Sequence, residues 1–351
     1  MKEEISAALG RPNVSRRLAP SAILLGVLST VPYLAVAQEQ GAAPPAPRPA
    51  TKAAPATGVT SLTQNPLQIA LLHWYDANLT TTFGVGNNPR GVAFDGANIW
   101  VVNNVSNDVT KLRASDGMPL GTFGVGSQPV RVAFDGANIW ATNSADNTVT
   151  KLRASDGAVL GTFGVGNHPV GVAFDGSNIW VTNEFGNNVT KLRASDGTVL
   201  GTFAAGASRA VAFDGANIWV PNENDGTVIK LRATDGEVLG TFGVGSFPIS
   251  VAFDGANIWV ANNSSNNLTE LRASDGALLG TFAVGSGPFG VAFDGANIWV
   301  SNQFSSNVTK LRATDGTVLG TVAVGVDPRG VAFDGADVWV ANNADGTVSK
   351  L

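Results

Sequence analysis

The sequence predicts an all-β fold built from seven copies of one unit, and three observations support this prediction. The segment FDGANIW recurs with few changes every 40 residues, once after 39, and its first residue stands at Phe94, Phe134, Phe174, Phe213, Phe253, Phe293 and Phe333. Each unit contains four short strand-like runs without helical periodicity. Asp-Gly, Asn-rich and Gly-rich segments separate the runs and favour tight turns. Four antiparallel strands in about 40 residues are typical of a β-propeller blade, so we predict seven blades.

The third unit illustrates the four strands, which read GVAF, NIWVTN, NVTKLRA and VLGTF between positions 171 and 203. The second run is apolar almost throughout and contains a tryptophan in every unit. A strand of this kind is covered on both faces, as a strand between neighbouring blades would be. We therefore predict that seven tryptophans form the core: Trp100, Trp140, Trp180, Trp219, Trp259, Trp299 and Trp339.

The two ends of the repeat region predict how the ring closes. The last unit stops after its third run, at Leu351, and an unused fourth run, LTTTFGVG, begins at Leu79. We expect this N-terminal strand to pair with the C-terminal blade. Closure of this kind leaves no exposed sheet edge.

Three segments precede the predicted propeller of residues 79–351. Residues 1–37 join Arg16 and Arg17 to an apolar stretch that ends in AVA, which is typical of a cleaved signal peptide. Residues 38–61 form an Ala/Pro-rich linker. Residues 62–78 contain an N-cap and proline pair, Asn65 and Pro66, and predict a short helix that packs on the ring. The protein is thus expected to be exported to the periplasm, the medium or the cell surface, without a transmembrane span in the mature chain. An uncleaved anchor is the alternative.

The composition excludes several kinds of site. The chain has no cysteine, which excludes thiol nucleophiles and disulfides, and only two histidines, which excludes a multi-histidine metal centre. The formal net charge is −5, without a basic cluster, which argues against a nucleic-acid partner. We predict no catalytic residues, no metal and no cofactor, and a monomeric protein.

The two faces of the predicted ring differ in how strongly their loops repeat. On one face the Asp-Gly turns recur almost unchanged; their chemistry is that of turns, although a weak cation site on this acidic face stays open. On the other face the loops differ from copy to copy. Turn geometry does not dictate those side chains, so we predict that this variable face binds a ligand.

Eight residues of the variable face are candidates for a binding site. Four phenylalanines lie outside the repeated positions and either contact a ligand or plug the channel mouth. Three arginines stand where inner strands of neighbouring blades enter the channel, and they either bind an anion or pair with Asp327 and nearby carbonyls. With one histidine, the candidates are Phe185, Phe247, Phe289, Phe304, Arg90, Arg131, Arg329 and His168. A basic side facing an apolar side would suit an amphipathic anion.

The units, of the form P-x-G-V-A-F-D-G-x-N-I-W-V-x-N, resemble YVTN-type β-propeller repeats of exported and surface-layer proteins; WVTN at 180–183 is nearly the eponymous motif. The blade pattern is also similar to that of the streptogramin B lyase family, whose members use paired histidines, a glutamate and magnesium. Within residues 79–351 the only histidine is His168, so that pair cannot be assembled.

We therefore predict an exported, non-catalytic propeller that acts as a binding or interaction scaffold through its variable face. Its partner would be a small molecule, an envelope polymer or a protein. The alternative is a streptogramin B lyase-like or lactonase-like enzyme that uses His168 with Glu184 or Glu223.

Overall fold

A computed structural model describes residues 81–351. These residues form 28 β-strands in seven four-stranded antiparallel sheets, with no helix among them. The predicted all-β, seven-bladed propeller is confirmed. The signal peptide, linker and short helix predicted before residue 79 lie outside the described residues. Within 81–351, no helix is long and apolar enough to cross a membrane.

Each blade runs from an inner to an outer strand in chain order. The strands of blades one to three are β2 (Pro89–Phe94), β3 (Asn98–Asn103), β4 (Asp108–Arg113), β5 (Pro119–Gly124); β6 (Pro129–Phe134), β7 (Asn138–Asn143), β8 (Thr148–Arg153), β9 (Val159–Gly164); β10 (Pro169–Phe174), β11 (Asn178–Asn183), β12 (Asn188–Arg193), β13 (Val199–Ala204). Those of blades four to six are β14 (Ala212–Phe213), β15 (Asn217–Asn222), β16 (Thr227–Arg232), β17 (Val238–Gly243); β18 (Pro248–Phe253), β19 (Asn257–Asn262), β20 (Asn267–Arg272), β21 (Leu278–Ala283); β22 (Pro288–Phe293), β23 (Asn297–Asn302), β24 (Asn307–Arg312), β25 (Val318–Ala323).

The seventh blade combines three C-terminal strands with one strand from the start of the ring. Its order is β1 (Thr82–Gly84), β28 (Thr347–Lys350), β27 (Val338–Asn342) and β26 (Pro328–Phe333). The short strand β1 pairs antiparallel with β28, so that Thr82 lies opposite Ser349 and Gly84 opposite Thr347. The outer strand of this blade thus comes from the other end of the repeat region.

The hydrophobic core lies between neighbouring blades. Trp100 of blade one, for example, packs with Ile139 and Leu152 of blade two, and all three are fully buried. A buried indole still needs a partner for its N–H group. In every blade the Asp of the FDG segment supplies it: Trp100 Nε1 donates to Asp95 Oδ2 at 2.7 Å. One repeated residue pair therefore fixes both the turn and the core tryptophan.

A phenylalanine of the outer strand fills the space beside each of six tryptophans. The Phe123 ring lies 5.5 Å from the Trp100 ring, and it also contacts the turn of blade two at Gly157. A Cβ at Gly157 would approach this ring to 2.1 Å, and the φ of 75° there also favours glycine. Blade six has Val322 at the phenylalanine position, and its outer strand β25 is exposed along its whole length.

Blade four has an irregular inner strand. The spacing between repeats is 39 residues here, and the loop lacks the proline that begins the inner strand in the other blades. As a result β14 contains only Ala212 and Phe213, and the preceding segment, which includes Arg209, is not part of the sheet. This irregular segment lies at the channel mouth, beside the site described next.

Candidate functional site at the channel mouth

A cavity of about 120 Å³ opens on the variable face at the mouth of the channel. Its walls come from the first residues of the inner strands and from the turns that follow the second strands. Six of the eight residues predicted from the sequence line it: Arg90, Arg131, Arg329, His168, Phe185 and Phe289. Phe247 and Phe304 do not line this cavity.

Four guanidinium groups meet here, and only two of them are paired. Arg329 Nη2 lies 2.9 Å from Asp327 Oδ2. Arg209 Nη2 donates to Glu184 Oε1 at 2.8 Å, and its Nε lies 3.0 Å from Glu223 Oε2. The other two, Arg90 and Arg131, make no ion pair within residues 81–351.

The unpaired arginines lie in an environment that disfavours their charge. Burial, followed by the charges of Arg329 and Arg209, lowers the pKa of Arg90 to about 10. Burial, followed by the charges of Arg329, Arg90 and Arg209, lowers the pKa of Arg131 to about 10 as well. Both groups remain cationic at neutral pH, so the cavity concentrates positive charge without full compensation.

Polar atoms without hydrogen-bond partners are concentrated at this mouth. Nine buried side-chain atoms in the described part of the chain lack a partner, and five are amide oxygens of the asparagines that end second strands. The other four belong to the channel mouth: Arg90 Nε, His168 Nδ1, Arg209 Nε and Glu223 Oε2. His168 Nδ1 lies 3.0 Å from a carboxylate oxygen of Glu184, and Arg209 Nε lies 3.0 Å from Glu223 Oε2, but the hydrogen-bond geometry is not met in either pair. Such groups cost free energy unless water or a ligand satisfies them.

The phenylalanines contact the charged groups. The guanidinium carbons of Arg131 and Arg329 lie 5.5 Å and 5.3 Å from the centre of the Phe289 ring, a cation–π distance. The guanidinium carbon of Arg209 likewise lies 5.6 Å from the centre of the Phe247 ring. From the sequence, the basic and apolar residues were expected on separate sides of the mouth. They interleave because the phenylalanine rings reach the arginines of other blades.

The two remaining phenylalanines are exposed. The Phe185 ring stacks on His168 with 4.2 Å between centroids, and 61% of its surface is accessible. Phe304 is 68% exposed and lies over the neighbouring loop at Gly287. Neither residue plugs the channel, so both are available for contact with a partner.

His168, Glu184 and Glu223 form a connected cluster beside the arginines. His168 Nδ1 lies 3.0 Å from Glu184 Oε2, and Arg209 connects Glu184 to Glu223. Burial raises the pKa of Glu223 to about 6, with Arg209 opposing this shift and Glu184 adding to it. His168 and Phe247 also adopt left-handed backbone conformations, with φ of 57° and 55°. The same conformation recurs at the equivalent loop position of three other blades, at Asn88, Gln128 and Asp327, so it belongs to the repeated turn.

Sequence reasoning did not include Arg209, Glu184 and Glu223 among the candidate ligand-binding residues. Arg209 occupies the same inner-strand position as Arg90 and Arg329, so the ring of equivalent positions was a usable signal. The two glutamates follow the asparagines that end their second strands, where the other blades carry Asn, Ser or Gln. Their charge at that position was the only sign of a contact with the neighbouring loop.

A second cavity of about 120 Å³ lies in the channel. It is lined by the inner strands, including Gly91, Gly171 and Val251, and Arg131 borders both cavities. Among residues 81–351 there is no group of three His, Cys, Asp or Glu side chains that could hold a metal ion.

The protein resembles solved structures in its fold. Hydrazine synthase from Kuenenia stuttgartiensis superimposes with a TM-score of 0.67 at 17% identity, covering 75% of this chain and 95% of that one. A streptogramin B lyase gives 0.66 at 18% identity, with 77% and 95% covered. Virginiamycin B lyase from Staphylococcus aureus gives 0.65 at 15% identity, with 77% and 97% covered. No family model matches the chain, and no curated protein matches it significantly. The chain is thus a β-propeller with a streptogramin B lyase-like fold.

Proposed function

We propose that the propeller is a binding scaffold whose channel mouth accepts a small anionic ligand. The observation that supports this most directly is the pair of half-buried arginines, Arg90 and Arg131, that have no ion-pair partner in the described chain. The four arginines of the mouth are faced by three carboxylates, those of Glu184, Glu223 and Asp327. A ligand anion would reduce the remaining repulsion.

The chemistry of the lining narrows the ligand class. Guanidinium groups bind carboxylate and phosphate in planar, two-point geometry. The Phe289 ring beneath Arg131 and Arg329, and the exposed Phe185 ring at the rim, add apolar surface. A ligand with an anionic group on an apolar or aromatic body would contact both the arginines and the phenylalanine rings of the wall.

Calorimetric titration of the purified protein with benzoate and phenylphosphonate tests the proposal, and benzamide serves as the neutral analogue. We expect both anions to bind and benzamide to bind much more weakly. Replacing Arg131 with Gln should weaken anion binding about tenfold or more, because a hydrogen bond to a charged group is lost. Raising the salt concentration should reduce the difference between the two proteins.

Arg153→Gln is the matched control for charge, since Arg153 is on the same blade but lies in an exposed ion pair with Asp156. It changes the net charge equally and should leave the affinity unchanged. Equal losses in both variants, or equal affinity for benzamide and benzoate, would show that the mouth is not an anion site.

Acid–base catalysis of lyase or lactonase type is a second candidate. The contact of His168 with Glu184 and the raised pKa of Glu223 support it, because catalytic acids and bases often titrate near neutral pH. Incubation with a streptogramin B antibiotic or a simple lactone, with magnesium present, tests it. Turnover that Glu223→Gln or His168→Ala abolishes would favour the enzyme; the absence of turnover by the unaltered protein would exclude these substrates.

We also propose that the protein is an exported propeller of YVTN type whose variable face meets a small molecule, an envelope polymer or a protein. The AVA segment at 35–37 and the absence of cysteine support export. N-terminal sequencing after cell fractionation should find a chain that begins near Gln38 outside the cytoplasm. A cytosolic protein with intact Met1 would contradict this.

A further inference from the structure

A lysine of the third strand repeats in six of the seven blades, directly opposite the repeated tryptophan. The six are Lys111, Lys151, Lys191, Lys230, Lys310 and Lys350. In five of these blades, all except that of Lys310, the ammonium group donates to two consecutive carbonyls of the next blade. Lys230 Nζ, for example, lies 2.7 Å from Ala273 O and 3.1 Å from Ser274 O. These contacts join neighbouring blades by placing a cation between carbonyl oxygens.

Blade five has a glutamate at this position. Glu270 lies opposite Trp259 and is only 7% exposed. Its Oε1 accepts a hydrogen bond from Asn257 Nδ2 at 2.8 Å, and no donor within residues 81–351 reaches Oε2. In blade seven the residue equivalent to Asn257 is Asp337, which contacts Lys350 Nζ. Glu270 therefore extends toward the place that the lysine ammonium occupies elsewhere.

The carbonyls at the receiving end also lack a partner. By register they belong to Ala313 and Thr314 of blade six, and no hydrogen-bond donor of the described chain reaches either oxygen. Burial, followed by the charge of Asp254, raises the pKa of Glu270 to about 6. By register, the Glu270 carboxylate therefore takes the position from which a lysine ammonium reaches such carbonyls in five other blades.

We propose that a hard divalent cation, Ca²⁺, takes the place of the ammonium group between blades five and six, bound by Glu270 and the carbonyl oxygens of Ala313 and Thr314. A glutamate oxygen falls one bond, about 1.5 Å, short of the position of a lysine nitrogen, which leaves room for an ion. Ca²⁺ accepts mixed carboxylate, carbonyl and water oxygens at roughly 2.3–2.6 Å in flexible geometry. Mg²⁺, which requires a strict octahedron and retains its water, fits such a set less well.

The side chains around the site add to its negative potential. Asp254 lies close enough to affect the titration of Glu270. Its Oδ2 already accepts from Trp259 Nε1 and its Oδ1 accepts two backbone N–H groups, so we assign it a charge role rather than a place among the ligands. With one carboxylate ligand, the site should be weak, with a dissociation constant on the order of 10⁻³ M.

Thermal unfolding in EDTA and in millimolar CaCl₂ tests the proposal. Ca²⁺ should raise the melting temperature of the unaltered protein by roughly 2–4 °C, and Mg²⁺ should have a smaller effect. Glu270→Lys restores the repeated lysine contact. That variant should melt higher than the unaltered protein in EDTA and should not respond to Ca²⁺.

Lys230→Glu provides the converse test at the equivalent position of blade four, where Ala273 and Ser274 supply the carbonyls. It should create a second site. Tb³⁺ luminescence sensitised by the adjacent tryptophan should then be stronger than in the unaltered protein, and added Ca²⁺ should compete with Tb³⁺ and reduce it. A Ca²⁺ response that is retained in Glu270→Lys would place the ion elsewhere. A melting temperature that does not change with Ca²⁺, together with a Glu270→Gln variant as stable as the unaltered protein, would indicate a protonated carboxyl group instead. Either result would overturn the proposal.

Discussion

At the channel mouth, Arg131 is surrounded by three other guanidinium groups and has no ion-pair partner among residues 81–351. Its charge should therefore destabilise the ligand-free fold while favouring anion binding. Replacing Arg131 with Met should raise the free energy of unfolding by about 1 kcal/mol in low salt without ligand, because the repulsion is removed and the side chain stays apolar. Chemical denaturation measures this, with Arg153→Gln as the control that should not gain stability. A clear loss of stability in Arg131→Met would mean that the arginine mainly supports packing.

Phe247 allows the binding and plugging interpretations of the mouth phenylalanines to be separated. A similar φ is found at equivalent loop positions of other blades, such as Asn88 with 53°. Asn tolerates this conformation better than Phe. Phe247→Asn should therefore change the free energy of unfolding by less than about 1 kcal/mol. It should also weaken the binding of an aromatic anion through Arg209, which lines the cavity and contacts the Phe247 ring. Denaturation and calorimetric titration on the same sample test both parts; a loss of several kcal/mol would identify a packed plug.

The sequence predicted which arginines meet but not how they are compensated. Arg90, Arg131 and Arg329 occupy matching or adjacent positions of inner strands, so the repeat places them on one ring. The pairing of Arg209 with Glu184 and Glu223 depends on the irregular segment of blade four and on side-chain rotation across a blade boundary. Neither follows from periodicity.

Each blade depends on the contact between its FDG aspartate and its core tryptophan. Burial raises the pKa of Asp175, but hydrogen bonds from Trp180, Asn178 and the backbone outweigh it and hold the pKa below its ordinary value of 3.8. Because the folded-state pKa is lowered, this contact stabilises the fold above pH 4 and is lost as the pH falls. Five other blades show the same direction, at Asp95, Asp135, Asp214, Asp294 and Asp334. Acid should therefore weaken nearly every blade together.

Asp175→Asn tests this contact. The amide either places an N–H group opposite Trp180 Nε1 or removes an acceptor from the turn. We therefore expect the free energy of unfolding to fall by roughly 1–3 kcal/mol at pH 7. The cost should shrink as the pH falls toward 3, since the unaltered protein then loses the same interaction. Unfolding curves recorded across pH 3–7 measure the difference. A constant difference over this range would show that the charge of Asp175 does not matter.

The elements themselves were predictable because local and global signals agree. Turn residues, the strand pattern and the tryptophan spacing all predict four strands per blade. The bounds of β11 match the predicted NIWVTN run, and β12 ends one residue before the end of the predicted NVTKLRA run. The short β14 was not predicted. A one-residue deletion and a missing proline mark the place, but the resulting backbone depends on how the neighbouring blades hold it.

For the molecule as a whole, the pairing of β1 with β28 is expected to protect the last blade. A chain that begins at residue 87 lacks β1 and Phe83, whose ring lies 5.5 Å from the Trp339 ring. We expect a lower melting temperature and association through the exposed edge of β28, because an unpaired strand edge recruits other strands. Light scattering after gel filtration and thermal unfolding measure both effects.

The control is a chain that begins at residue 79, which retains β1 and should behave as a stable monomer. A peptide of residues 79–86 added to the shorter chain should restore part of the lost stability. Identical melting temperatures and monomeric behaviour for both chains would show that the seam contributes little.

Blade six differs from the other blades at its boundary with blade five and in its outer strand. It meets blade five at Glu270, where the lysine contact is missing. Its outer strand carries Val322 where six others carry phenylalanine. Local opening of a protein begins where cooperative contacts are fewest. Amide hydrogens of β25 should therefore exchange before those of other outer strands, which makes this blade, rather than the seam, the place where the ring first loosens.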